Sequence, residues 1–252
     1  MTNKKCSACK DGIEAPFEFS MAFQPIVDIE TETIFAYEAL VRGPNDESAY
    51  SILSQVTEEN MYSFDQSCRI KAIETAAKIG LLEKKALLSI NFLPNAIYTP
   101  AACIRATLEV AEKTDFPLDR LIFEITETEK VKDTASLKNI VEEYKKQGFQ
   151  TAIDDFGSGF AGLNLLSEFQ PDIIKVDMEL IRDIDKKDVN KILLGSIITV
   201  CQSLNITIIA EGIETVEEMT TLKNMGIKLH QGYLYAKPAF EALPDPVYPK
   251  SS

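Results

Sequence analysis

Short apolar runs alternate with amphipathic stretches along this chain, and the two periods predict its elements. The runs Met21–Ile29, Ile34–Val41, Ala86–Leu93, Leu121–Thr126, Thr151–Phe156, Asp172–Val176, Thr207–Ala210 and Lys228–Tyr235 are rich in β-branched and aromatic residues and short enough for strands. Between them lie helical patterns. From Thr134 to Gln147, Leu137, Ile140, Val141 and Tyr144 share one face, and Gly148 is a stop signal. Phe64 to Ile79, closed by Gly80, and Asp188 to Leu204 read the same way. About eight strands alternating with helices predict a parallel α/β architecture. A closed barrel and an open doubly wound sheet both fit. No Gly-rich phosphate fingerprint follows an early strand, which counts against a Rossmann-type sheet.

Polar residues fall at one end of these strands. Glu38, Asn91, Glu124, Asp154 with Asp155, Lys175, Glu211 and Gln231 each stand at or near the C-terminal end of a run. Barrel enzymes draw their chemistry from that mouth. Period two puts Ile122 with Glu124, Ile173 with Lys175 and Ile209 with Glu211 on shared faces, so an inward apolar residue is followed by an inward polar one. A lone Glu at a strand end is ordinarily a solvated rim charge. Seven strands with the same habit are harder to dismiss. Two like charges about 4 Å apart repel by about 4 kcal/mol at an effective dielectric near 20. Converged carboxylates must therefore protonate or hold a cation. Carboxylates plus one Asn amide suit Mg²⁺ or Mn²⁺. Adjacent Asp154 and Asp155 can serve two ions, an arrangement that recurs in phosphodiester hydrolysis. Zinc is disfavoured, because His230 is the only histidine and no cysteine lies near these residues.

Composition narrows the partners. The 252 residues carry a formal charge of −13, which argues against polymeric nucleic acid as a ligand but leaves room for a small anion beside bound cations. There is no apolar leader and no run long enough to span a membrane. Five scattered cysteines fit a reducing cytoplasm. Residues 1–16 read as a polar arm, 17–243 as the barrel domain and 244–252 as an irregular tail.

The rim residues also sit in ordered strings: Glu38-Ala39-Leu40, Glu124-Ile125-Thr126-Glu127, Asp154-Asp155-Phe156-Gly157-Ser158-Gly159, Lys175-Val176-Asp177, Ala210-Glu211-Gly212-Ile213-Glu214-Thr215 and Gln231-Gly232-Tyr233. Together they resemble the EAL-domain phosphodiesterases of bacteria, over roughly Phe19 to Pro238. The resemblance implies a TIM-like (β/α)8 barrel with one antiparallel strand. It implies hydrolysis of cyclic di-GMP to the linear dinucleotide pGpG with Mg²⁺ or Mn²⁺, two ions in all. Glu38, Asn91, Glu124 and Asp154 would hold the first ion; Asp154, Asp155 and Glu211 the second. Lys175 would sit beside the attacking water, and Glu211 would be a ligand or the base. Gln231 would hold the water or the phosphate region, while Gln24 and Arg42 would contact the substrate. Glu127 would anchor the loop through Ser158, where the family more often has Thr. Leu93-Pro94 after Asn91 departs from the commoner Ser-Pro. A homodimer is expected, with a regulatory protein partner as a further option.

Several features keep ordinary readings. Asp177 pairs with Lys175 or caps the next turn, with a direct part in the site as the alternative, Glu214 faces a helix N-terminus, and His230 is a packing or surface residue. Cys6 and Cys9 lack two further zinc ligands nearby. Two other functions compete: an inactive cyclic di-GMP receptor, and a Schiff-base aldolase or isomerase built on Lys175. The second does not require a ring of carboxylates.

Overall fold

A computed structural model describes residues 15–94, 103–126, 134–159 and 162–249. Eight strands close into a barrel: β1 (Ser20–Asp28), β2 (Thr33–Arg42), β3 (Leu87–Asn91), β4 (Leu121–Thr126), β5 (Gln150–Phe156), β6 (Ile173–Val176), β7 (Thr207–Ala210) and β8 (Leu229–His230). Neighbours from β2 to β8 run parallel, and β1 closes the ring antiparallel to both β2 and β8. A ninth strand, β9 (Ala239–Phe240), adds to β1 at Ala22 and Phe23. The expected barrel with one antiparallel strand is what the chain forms.

Local chemistry explains the reversed strand. Only Ile29–Glu32 separate β1 from β2, too few residues for a parallel crossover. Asp28 Oδ1 accepts from the backbone N–H of Glu30 (2.8 Å) and Thr31 (3.2 Å), which turns the chain into a hairpin. Pro25 lies between the stretches of β1 that pair with β9 and with β8, so its missing donor interrupts neither ladder.

The barrel has two cores. Outside the strands, Tyr37, Leu88, Phe123, Ile153 and Ile174 pack against helix residues such as Ala72, Ile73, Ile140, Tyr144, Leu194 and Cys201. The face predicted for 134–147 is the one buried, with Leu137, Ile140, Val141 and Tyr144 at 0–2% exposure. Inside, Ile26, Ala36, Ile122, Ala152, Ile173, Ile209 and Leu229 form a separate apolar plug. Fully burying a side chain of this kind is worth about 1.5–3 kcal/mol.

Two sequence expectations change in detail. The run Lys228–Tyr235 is strand only at Leu229–His230, because the chain turns at Gly232, where a Cβ would lie 2.0 Å from the Ile213 carbonyl oxygen. Residues 244–249 have no regular structure but are tied down: Tyr37 Oη donates to Pro244 O (3.0 Å), and Val247 N–H to Tyr235 O (3.0 Å). Among the described residues no helix is long and apolar enough to cross a membrane.

Candidate active site

Two residues beyond each plug residue, toward the C-terminal mouth, the same inward face turns polar. Ala36 leads to Glu38, Ile122 to Glu124, Ala152 to Asp154, Ile173 to Lys175, Ile209 to Glu211 and Leu229 to Gln231. In the antiparallel β1 the direction reverses, from Ile26 back to Gln24, which pairs in register with Glu38. Leu87, Ser89 and Asn91 climb β3 in the same way, Ser89 opposite Glu38 and Asn91 opposite Glu124.

Lys175, 1% exposed, stands at the centre. Its Nζ lies 2.8 Å from Glu211 Oε1, 2.9 Å from Asp154 Oδ1, 3.0 Å from Glu124 Oε2 and 3.4 Å from Glu38 Oε2. Burial alone would push the ammonium pKa down. The four carboxylates outweigh it and hold Lys175 well above the usual lysine range. Burial, followed by the neighbouring carboxylates, raises Glu124 and Glu211 far above ordinary carboxylates, and Lys175 opposes the shift in both. A Ser89 hydroxyl bond to Glu124 Oε1 also favours the charged form.

Amides hold the other side. Asn91 Nδ2 donates to Glu38 Oε1 (3.1 Å), and Gln231 Nε2 to Glu38 Oε2 (2.7 Å) and Gln24 Oε1 (3.3 Å). Gln24 Nε2 donates in turn to Ala236 O (3.1 Å). A cavity of about 260 Å³ opens above, lined among others by Gln24, Glu38, Asp155, Glu211, Gln231 and Tyr233. Arg42 stands on the rim outside that lining, its Nη1 on Val41 O (2.8 Å) and its Nε 4.0 Å from Asp46.

Asp155 reaches the mouth because β5 breaks register between Ile153 and Phe156. Its φ of 55° is left-handed, a conformation that Asp tolerates better than bulkier residues. Burial, then Asp154 and Asp177, raise its pKa to about 6. Gly157, also left-handed at φ 98°, passes where a Cβ would meet Leu180 Cδ1 at 2.5 Å. Exposed Ser158 donates its hydroxyl to the Asp155 carbonyl (2.8 Å), a bond inside its own loop. Glu127, the expected anchor, lies outside the described residues, as do Cys6 and Cys9.

The residues fit divalent cations. Two sets of carboxylates each bring oxygens within 4.8 Å of one another: Glu38, Glu124 and Asp154, and Asp154, Asp155 and Glu211. Asp154 belongs to both. Among the described residues its buried Oδ1 makes no hydrogen bond and pairs with Lys175 Nζ by charge alone, and buried Gln231 Oε1 lacks a donor. All donors are oxygen, the preference of hard ions.

Sequence reasoning missed Ser89, although period two from Asn91 points to it. It also missed Glu218, which is 1% exposed and accepts from the backbone N–H of Asp183, Glu214 and Thr215, so that it joins the loops after β6 and β7. Asp177 is a cap, accepting from Glu179 N–H (2.8 Å). Glu214, just before the helix Val216–Asn224, pairs with Arg182 (2.8 Å). His230 is fully buried against Tyr235 Oη (2.7 Å) and Ile227 O (3.2 Å), a packing role.

Fold and mouth together define a β/α-barrel protein with an acidic, cation-ready site. The EAL domain family matches residues 8–238, and the chain belongs to that family. The chain is 33% identical over 91% of its length to the blue light- and temperature-regulated antirepressor BluF of Escherichia coli, and spans 56% of that protein. It is 35% identical over 53% of its length to the E. coli cyclic di-GMP phosphodiesterase PdeR, and spans 20% of it. The chain thus covers about half or less of these curated relatives. A standalone EAL protein from Vibrio cholerae with c-di-GMP bound superposes with a TM-score of 0.88 at 55% identity, covering 92% of this chain and 97% of that one. Klebsiella pneumoniae BlrP1 in its manganese/cy-diGMP complex gives 0.84 at 33% identity, covering 90% and 57%.

Proposed function

We propose that this chain hydrolyses cyclic di-GMP to linear pGpG with Mg²⁺ or Mn²⁺ at two positions. The observation that carries this is the pair of oxygen clusters sharing Asp154 around a buried ammonium. Glu38, Asn91, Glu124 and Asp154 would hold one ion, and Asp154, Asp155 and Glu211 the other. Bound ions of this kind supply Lewis acidity to the phosphodiester and make water a better nucleophile at neutral pH.

The chain's own groups do the rest. Water oxygen attacks phosphorus, the bond to the 3′-oxygen breaks, and the product carries a 5′-phosphate and a free 3′-hydroxyl. Lys175 offsets the negative charge that grows at phosphorus. Glu211 accepts the water's proton, and the leaving 3′-oxygen takes up a proton from solvent. Gln231 and Gln24 line the cavity and orient the phosphate region, and Arg42 on the rim meets the substrate's outer edge. The working compartment is the cytoplasm. The chain acts as a homodimer; Leu163, Val189, Ile192 and Leu193, exposed on the helices that follow β5 and β6, supply apolar surface for it. Residues 17–243 form the working barrel, 1–16 an arm and 244–252 a tail.

A second reading has one observation in its favour: the relative BluF is named an antirepressor. In that reading the chain binds cyclic di-GMP and signals to a protein partner without turnover. Incubation with cyclic di-GMP and Mg²⁺ or Mn²⁺, followed by chromatography of the products, separates the two. The expected product is pGpG. Tight binding without product in either metal makes the chain a receptor.

A further inference from the structure

A charged pair outside the barrel reaches the chain next to Asn91. Asp65 and Arg69 lie one turn apart on the helix Met61–Lys78 and are 3% and 1% exposed. Asp65 Oδ2 accepts from Arg69 Nη2 (2.8 Å), while Oδ1 accepts from the backbone N–H of Leu93 (2.8 Å), two residues past Asn91. Arg69 Nη1 donates to Thr107 Oγ1 (2.8 Å) and Cys103 O (3.4 Å), at the start of the next helix. The intervening Phe92 N–H donates to Glu124 O (3.0 Å). The chain is therefore held where it leaves β3 and again at Cys103 and Thr107.

A buried ion pair is a poor means of stabilising a fold, since apolar residues of similar volume are often neutral or better there. Its retention calls for another role. We propose that Asp65, its charge balanced by Arg69, is a positioning residue that clamps the end of β3 and so sets the place of the Asn91 amide at the site. The inference rests on the reading of Asn91 as a metal ligand. Outer partners of ligands set metal affinity, and their loss weakens it by about 10–100-fold.

The test compares two double variants of the full chain. Asp65→Leu with Arg69→Met removes the pair and the acceptor for Leu93 N–H. Asp65→Asn with Arg69→Met removes the charges but keeps an acceptor. Calorimetric Mn²⁺ titration should show affinity about 10-fold weaker in the first and within about twofold of wild type in the second. Amide exchange across Asn91–Leu93 should accelerate in the first alone. Wild-type affinity and protection in the Leu/Met variant overturn the proposal. If that variant does not fold, Asp65→Ala with Arg69→Gln, which removes the acceptor for Leu93 N–H but leaves an amide donor for Thr107, should weaken Mn²⁺ binding about 10-fold; unchanged affinity then overturns it. A wild-type chain that binds no Mn²⁺ removes the metal reading itself. The clamp is then judged on exchange, where protection retained in the Leu/Met variant overturns it.

Discussion

The barrel interior holds two layers only one pleat apart, about 6.6 Å along each strand. The lower is Ile26, Ala36, Ile122, Ala152, Ile173, Ile209 and Leu229; the upper is Gln24, Glu38, Ser89, Glu124, Asp154, Lys175, Glu211 and Gln231. The same strands supply both, with nearly the same burial. The lower layer gains free energy from leaving water. The upper layer loses it, because four carboxylates face a single ammonium. Stability and chemistry are thus assigned to alternate rungs of one scaffold, and mutations two residues apart should separate them.

The sharpest cut is Glu38→Ala. Hydrolysis of cyclic di-GMP should fall at least about 1,000-fold, or about 4 kcal/mol of barrel-mouth stabilisation of the transition state. The melting temperature should hold or rise, since one repelling charge is gone. A near-wild-type rate would remove Glu38 from the machinery. In the lower layer, Ile122→Ala should do the reverse, costing about 2–5 kcal/mol in denaturant unfolding with kcat per folded molecule almost unchanged. A rate loss as large as that of Glu38→Ala would show that the layers are not separable.

Acidity probes the mouth of the barrel above these layers. The raised Asp155 pKa of about 6 means that the metal-free fold takes up this proton more readily than the unfolded chain. Its stabilising contribution is therefore fully present below the ordinary Asp range near 4 and is lost as pH rises through about 6. Cation binding has the opposite sense, because it requires the ionised form. Ionisation of Asp155 should make Mn²⁺ affinity climb by up to about tenfold per pH unit below pH 6, and ionisation of Glu124 and Glu211 should extend the climb above it. A flat profile from pH 5 to about 8 would mean that Asp155 does not contribute.

Smaller effects refine the boundary. Ser89→Ala takes a hydroxyl from Glu124 and should lower kcat about 5–10-fold, with a modest loss of stability. Ser158→Ala should change kcat by less than about threefold, because among the described residues its hydroxyl serves the Asp155 carbonyl. A drop near 100-fold would support the anchor role that the motif resemblance implies for Glu127 and Ser158.

How much of this was legible follows from period and residue type. Carboxylates and an amine in β-rich runs stand out, so Glu38, Glu124, Asp154, Lys175 and Glu211 could be placed at one mouth. Ser89 hides in Leu-Leu-Ser-Ile-Asn because a hydroxyl suits either face of a strand. β9 is two residues long and carries no period at all. The strand at Lys228–Tyr235 is shorter than the pattern predicts, and the close backbone approach that requires Gly232 comes from Ile213, nineteen residues earlier in the chain. Asp65 and Arg69 look like a solvated i, i+4 pair, and only the packing of the next helix shows that they are inside. The reversed β1 came from the motif resemblance, although the short link to β2 already demanded it.

That reversal decides how the barrel is wired to anything joined to it. Had β1 run with the others, its first residue would lie at the apolar floor, far from the chemistry. Instead Ser20 pairs with Arg42 at the mouth, and its hydroxyl bonds Glu241 just past β9. A segment entering ahead of β1 meets the barrel at its reactive face, whereas the chain past β9 runs back to the opposite end, where Asp245 pairs with Lys84 (3.0 Å) just ahead of β3. A displacement of β1 at Ser20 lies two rungs from Gln24, with no part of the hydrophobic plug between them.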